Sequence, residues 1–551
     1  MVEGHEEDDK KSGYVGAQMG RGRNMHHKNL GSEKRKKNFI LTSVTLLSIL
    51  ALLVSVTIAP AIASDWCQFQ ADKTNTGIAN EKILGRSLAW SAYTHTDPWN
   101  MAGIDVVPIV AGDNVYVLDV VGYIWSFNAK TGAENGNKYY NGPASPPYYQ
   151  LSTPAYGDGK IFFGMSTGAK KGHVFAVSAN DVTVKVWEKT INEDEQIDTP
   201  ITYDNSKIYF GTWNGTVDMT YSGTYYCLSA ADGSELWNYP ATGNNGYYWA
   251  GACIIDDYII FGDCLGNITC LNKNTGALMD EENLAAVEPI TGAIKASVTC
   301  NAAGSRIYFS EGYTNGSTLG GRLWAYNVNR TTGDLTYAWR CPLNTITTST
   351  PVVYNGRIYV GDGSYQANGR LYCIYESNGT IEWYYETPDN NGNGSPGIKA
   401  SPVISVAGNE LYIYFTTNCE NGRLYCINKT GQLCWYYEPM ESMGSGEYIL
   451  QGVSVYSNGG DMRVFFGNDA GNLYALDKGM CGDMDANGEI RASDAQKIWN
   501  RAENPDFYLD SPWAADVDCN GEISTSDAEM VWMRAVDTSY DLNCCCDNPD
   551  G

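Results

Sequence analysis

The sequence predicts a mainly β fold, an eight-bladed β-propeller closed by an N-terminal strand, followed by a small α-helical domain built on two acidic loops. Three observations predict it. A short apolar-aromatic strand pair recurs eight times, most copies are followed by a Gly turn and a Trp-bearing strand, and a twelve-residue Asp/Asn/Gly pattern occurs twice near the C-terminus. The composition agrees: 59 Gly, 39 Tyr and 15 Trp with only 18% charged residues suit many short strands and tight turns.

From the beginning of the chain, residues 1–38 hold nine Lys/Arg and six Asp/Glu, end in Lys34, Arg35, Lys36 and Lys37, and lack apolar periodicity. They read as a tail, cytoplasmic or cleaved. Residues 39–63 carry no charge and end Ala61-Ile62-Ala63, a small-x-small pattern that a signal peptidase cuts. The same run is long enough to span a bilayer, so a cleaved signal peptide and a membrane anchor both stay open. Either implies export, to a secreted or cell-surface location. A net charge of −26 excludes nucleic acid as a partner, since no Lys/Arg stripe follows the tail.

Residues 65–478 carry the repeat. The middle positions of the eight first strands are Tyr116, Phe162, Tyr209, Ile260, Tyr308, Tyr359, Tyr414 and Phe465, spaced 46 to 55 residues apart, enough for one four-stranded sheet each. Second strands include Tyr225-Tyr226-Cys227-Leu228 and Leu371-Tyr372-Cys373-Ile374. Cys227, Cys270, Cys373 and Cys426 hold the place that Ala176, Ala325 and Ala475 hold elsewhere, so they read as small packing residues. Most pairs are followed by a turn such as Lys130-Thr131-Gly132, Asn274-Thr275-Gly276 or Lys429-Thr430-Gly431, and often by an outer strand with Trp: Trp187, Trp237, Trp339, Trp383 and Trp435. The eighth copy lacks its Trp strand and Leu88-Ala89-Trp90 stands alone before the first, so the N-terminal strand is predicted to complete the last blade.

This repeat, with its opening Asp65-Trp66-Cys67-Gln68-Phe69-Gln70 and Asn75-Thr76-Gly77, resembles the quinoprotein-like (PQQ-repeat) propellers. The resemblance implies the fold over about four hundred residues but not one function, because that family includes quinone-dependent dehydrogenases and non-catalytic members of outer-membrane assembly machinery. The adjacent cysteine pair that such dehydrogenases place near the quinone has no counterpart in the propeller: Cys544, Cys545 and Cys546 are the only adjacent cysteines. Asp256-Asp257 and Glu281-Glu282 read as solvated turn residues, and His173 is the only His after the first repeat begins. No catalytic residue and no cofactor-binding residue is assigned in the propeller.

Residues 479–551 carry the strongest chemical pattern. Asp483, Asp485, Asn487, Glu489 and Asp494 recur 33 residues later as Asp516, Asp518, Asn520, Glu522 and Asp527, with Gly488 and Gly521 at the sharp turn. Calcium takes about six to eight oxygens, and such a loop supplies them from positions 1, 3 and 5, the backbone carbonyl at 7, and a carboxylate at 12. Two calcium ions are the cofactor expected. Ile490 and Ile523 should pack inward, and Ala495, Trp499, Arg501 and Ala502 recur as Ala528, Trp532, Arg534 and Ala535 on the following helices. Cys481 before the first loop and the cysteines after the second offer a disulfide clamp.

The duplication resembles type I dockerins, which implies calcium-dependent docking to a cohesin-like protein. Matched residue by residue, the partner-facing positions are Ala492 and Ser493 in the first copy, Thr525 and Ser526 in the second. The reading is thus an exported, non-catalytic scaffold whose propeller binds a protein or glycan. The alternatives are a component of a polysaccharide-degrading complex, a quinone-dependent dehydrogenase, or calcium as a structural staple only.

Overall fold

The computed structural model describes residues 65–80, 86–94, 103–140, 150–166, 171–191, 195–214, 222–243, 245–364, 367–388, 396–407, 409–439, 448–458, 461–484, 489–505, 507, 509, 514–518, 522–540 and 542. The tail at 1–38 and the apolar segment at 39–63 lie outside them. No helix among the described residues is long and apolar enough to cross a membrane.

Short alternating runs bounded by Gly, Asn and Asp turns form antiparallel meanders. Blade 1 runs Ile109–Ala111, Asn114–Leu118, Tyr123–Asn128 and Glu134–Tyr139, its first three strands nearly all buried and its fourth largely exposed. Seven further sheets follow, giving eight blades as the repeat predicts.

The small residue of each repeat is explained by what stands on either side of it. Cys227 pairs with Tyr209 on one neighbouring strand and Trp237 on the other, and the two rings meet with centroids 5.9 Å apart. Ala176 lies likewise between Phe162 and Trp187, Cys373 between Tyr359 and Trp383, and Cys426 between Tyr414 and Trp435. Only a short side chain lets both rings close over it. The three Cys among them are free and fully buried.

Three of these Trp residues also hydrogen-bond to the next blade. The indole nitrogen of Trp187 donates to the Ala230 carbonyl (3.1 Å), that of Trp237 to Lys273 (2.9 Å), and that of Trp383 to Lys429 (3.2 Å). The indole faces lie on Gly233, Gly276 and Gly431, all in the left-handed region. The Gly of the turn therefore serves twice: it turns the chain and provides a flat seat for the neighbour's indole.

Ring closure follows the expectation. Ser87–Tyr93 pairs antiparallel with Asn472–Asp477, and Trp90 faces Ala475 there while its indole lies on Gly132 of blade 1. The role of the preceding segment was not legible in the repeat. Residues 65–79 cross the propeller: Trp66 bridges to Val110, the Gln68 side chain accepts from Tyr203 N (2.7 Å), and the Gln70 amide donates to the Pro402 carbonyl (2.9 Å). The Asn75 amide donates to the Ala252 and Val298 carbonyls, and Ile78–Ala79 adds a parallel strand to blade 7. Lys73 Nζ and Lys273 Nζ each lie 2.6 Å from a different oxygen of buried Asp204. One segment thus ties blades 1, 3, 4, 5 and 7 together.

Near the axis, hydroxyls link neighbouring blades. Val107 N donates to Thr153 Oγ1 (3.2 Å), Gly251 N to Ser297 Oγ (2.9 Å), Ser297 N to Thr350 Oγ1 (2.9 Å) and Thr350 N to Ser401 Oγ (3.0 Å). Each hydroxyl sits two residues ahead of the first paired residue of its innermost strand.

Candidate metal centre

After the propeller come two helices, α1 (Ala492–Glu503) and α2 (Thr525–Val536), each opened by one of the acidic loops. They pack on a small core of Met484, Ala495, Ile498, Val517, Ala528 and Val531, with Ile490 and Ile523 against it as the sequence predicts. Arg501 donates to the Phe507 carbonyl (2.9 Å) and Arg534 to that of Tyr540 (3.0 Å), so the repeat extends past both helix ends.

The last Asp of each loop is the third residue of its helix and fastens the loop shut. Asp494 Oδ1 accepts from Met484 N (2.8 Å) and Oδ2 from Arg491 N (2.8 Å). Asp527 repeats this with Val517 N (2.8 Å) and Asp518 N (3.2 Å) on one oxygen, Ser524 N (2.9 Å) and Ser524 Oγ (2.8 Å) on the other. Both carboxylates are fully buried at a helix N-terminus, where exposed N–H groups favour negative charge. A shorter Asp in place of Glu at position 12 fits this role as a cap.

In the second loop one carboxylate oxygen from each of Asp516, Asp518 and Asp527 lies within 4.8 Å of the others. Two oxygens each about 2.3–2.6 Å from one calcium ion stand no more than about 5 Å apart, so the spacing fits a single hard cation with an all-oxygen shell. In the first loop Asp483 and Asp494 are buried. Asp485, Asn487 and Asn520, with Gly488 and Gly521, lie outside the described residues. The Glu489 side chain is exposed and pairs with Arg491, and Glu522 is exposed, which leaves their backbone carbonyls as the expected donors. Cys481 is disulfide-bonded, and Cys544, Cys545 and Cys546 lie outside the described residues.

The four residues matched to a partner face, Ala492, Ser493, Thr525 and Ser526, are all exposed on the first turns of α1 and α2. Ala492 also lines an apolar groove with Trp499, Trp532 and Met533. The exposure of both indoles was missed from sequence, although their recurrence at equal spacing was the available signal.

In the propeller, Asp256 is held bidentately by Arg330 (2.6 and 2.8 Å), Glu281 accepts from Thr269, and His173 lies 3.2 Å from Glu188 on a strand. Among the propeller's aromatic side chains, Tyr247 and Trp435 are buried, whereas Tyr384 and Tyr436 are exposed with Arg370 and Arg423 over their rings.

Comparison with known proteins addresses the propeller. The family described as outer membrane protein assembly factor BamB matches residues 145–334 and 266–480. No curated protein matches the chain. Among solved structures, a europium-containing methanol dehydrogenase aligns with a TM-score of 0.58 at 13% identity, covering 75% of this chain and 98% of the other. Quinohemoprotein alcohol dehydrogenase from Comamonas testosteroni gives 0.56 at 13% identity, over 75% and 80%. BamB from Moraxella catarrhalis gives 0.48 at 14% identity, over 71% and 97%. The dehydrogenase likenesses establish the shared propeller fold and nothing finer. With eight closed blades, the repeated Trp seats and a family match over more than half of its length, the chain belongs to the BamB-like family of PQQ-repeat propellers.

Proposed function

We propose that the chain is an exported, non-catalytic binding protein whose C-terminal module takes two calcium ions and docks to a cohesin-like protein, leaving the propeller to hold a protein or glycan. The observation that carries this reading is the duplicated loop-and-helix unit, in which Asp516, Asp518 and Asp527 converge and Asp494 repeats the loop-closing bonds of Asp527. Asp483, Asp485, Asn487, Glu489 and Asp494 hold the first ion; Asp516, Asp518, Asn520, Glu522 and Asp527 hold the second. The exposed first turns of both helices support docking there, and a disulfide-bonded Cys481 suits a secreted or cell-surface location. Family membership supports a protein-binding role for the propeller in general terms.

Calcium titration by calorimetry into the chain from residue 65 onward tests the metal reading: two sites are expected in the natural chain and one in an Asp516→Ala/Asp518→Ala variant. Binding to immobilised cohesin domains, with calcium and with chelator, tests docking. If calcium binds and no cohesin does, docking falls and the ions serve only to hold the module's fold. A quinone absorbance with alcohol turnover would overturn the non-catalytic reading.

A further inference from the structure

The blade register that places the hydroxyl ring also places a second ring, four residues ahead of the first paired residue of each innermost strand. In blades 4 to 7 its members are Trp249, Lys295, Thr348 and Lys399, and all four line an axial cavity. Phe69 of the crossing N-terminal segment lines it too. The cavity has about 20 Å³ of open space, room for a group of only a few heavy atoms.

Its lining is rich in donors. Ser297, Thr350 and Ser401 each accept one backbone N–H from the preceding blade, and among the described residues none of their own hydroxyl protons is committed to an acceptor. Trp249 has φ +69°, a conformation a bulky residue adopts at a cost of about 1–2 kcal/mol, and its buried indole N–H has no hydrogen-bond partner among the described residues. Strain and an unsatisfied donor at one residue are two costs that a ligand would offset.

The charges point the same way. Asp105, the blade 1 member of the ring, is paired with Asp469, and burial, then the charge of Asp469, pushes Asp105 well above the ordinary aspartate value. Lys399 faces that pair. Lys295 is different: it stands 5.0 Å over the Tyr248 ring, and burial first, then the charge of Lys399, pulls it below the ordinary lysine value against the opposing Cys264, so an anion beside it would restore its charge. Lys295 and Lys399 both line the cavity, whereas the ring carboxyls Asp105 (blade 1) and Asp198 (blade 3), with Asp469, do not.

We propose that the propeller axis binds a small oxyanion, a carboxylate or phosphate group, between Lys295 and Lys399, with hydrogen bonds from the Trp249 indole and the hydroxyls of Ser297, Thr350 and Ser401. The site is independent of the calcium loops. It accepts the group either as a free ion or as the terminus of a larger ligand.

The test is calorimetric titration of sodium acetate and of sodium phosphate, at ionic strength held constant with sodium chloride, into the chain from residue 65 onward. One saturable site for at least one of the two anions is expected. Lys295→Met should weaken it at least about tenfold, as loss of a charge-assisted hydrogen bond requires, and Lys295→Arg should retain most of it. Thermal melts give a second readout: the bound anion should raise the melting temperature of the natural chain and leave that of Lys295→Met unmoved. If Lys295→Met does not fold, Ser401→Ala, which keeps the charge and removes one hydroxyl, should weaken binding several-fold. The proposal is overturned if the folded natural chain binds neither anion saturably, or if binding is unchanged in the folded lysine variant, or in Ser401→Ala where that variant stands in for it.

Discussion

Trp237 donates to the Lys273 carbonyl at 2.9 Å and lies flat on Gly276, where a Cβ would meet the indole at 2.8 Å. The contact crosses from blade 3 to blade 4 and recurs at Trp90 on Gly132 and Trp187 on Gly233. Gly276→Ala should cost about 2–4 kcal/mol, combining left-handed strain with overpacking. Gly112→Ala, where the backbone is also left-handed but nothing lies within 4 Å, should cost only about 1 kcal/mol. Urea denaturation of the two variants checks the difference.

Cys373 lies between Tyr359 and Trp383, and its burial leaves no room for a longer side chain. Cys373→Ala should change stability by no more than about 1 kcal/mol, whereas Cys373→Leu should lose about 1–3 kcal/mol or more. A thiol needed for chemistry would be lost in both variants, so a functional assay would fall for Cys373→Ala despite its retained stability.

Asp204 is held by Lys73 and Lys273. Burial opposes its ionisation, but the two ammonium groups prevail and keep its carboxyl below the ordinary aspartate value. Because the folded value is the lower one, this contribution is present above the unfolded-state pKa and is lost as pH falls through the folded value. Asp204→Asn should destabilise the protein by about 3 kcal/mol near neutrality, and the gap should narrow in strong acid. Denaturant midpoints across acidic pH measure this.

Asp527 carries four hydrogen bonds that close its loop. Asp527→Ala should lower calcium affinity at that loop by about tenfold or more, since a ligand and the loop closure disappear together. Calorimetry on the full chain should show the first loop's site retained.

Much of this architecture is legible from the residues, because a repeat reveals itself by comparison with its own copies. The eight strand pairs, the small residue opposite each ring and the closing role of Trp90 all follow from alignment within one chain. The crossing segment at residues 65–79 does not, since it occurs once and makes its bonds through Gln68, Gln70, Lys73 and Asn75, polar residues without periodicity. Asp494 and Asp527 stood out in the sequence as candidate calcium ligands, whereas their part as helix caps was not legible, because a cap depends on where the helix begins. The axial ring was hidden for another reason: Trp249, Lys295, Thr348 and Lys399 share a register but no single residue type, and only strand pairing brings them into one circle.

The pairing of Ser87–Tyr93 with Asn472–Asp477 joins strands nearly four hundred residues apart. During synthesis the first of these strands must wait, unpaired, until almost the whole chain has emerged, and every blade made in the meantime ends in an open edge. An exported chain with this topology completes its fold only once translocation is nearly finished. Truncated products are left as unclosed arcs with free strand edges, which quality-control proteases and chaperones recognise. Closure therefore doubles as a length check: only a chain delivered to the end of its last blade can hide its edges.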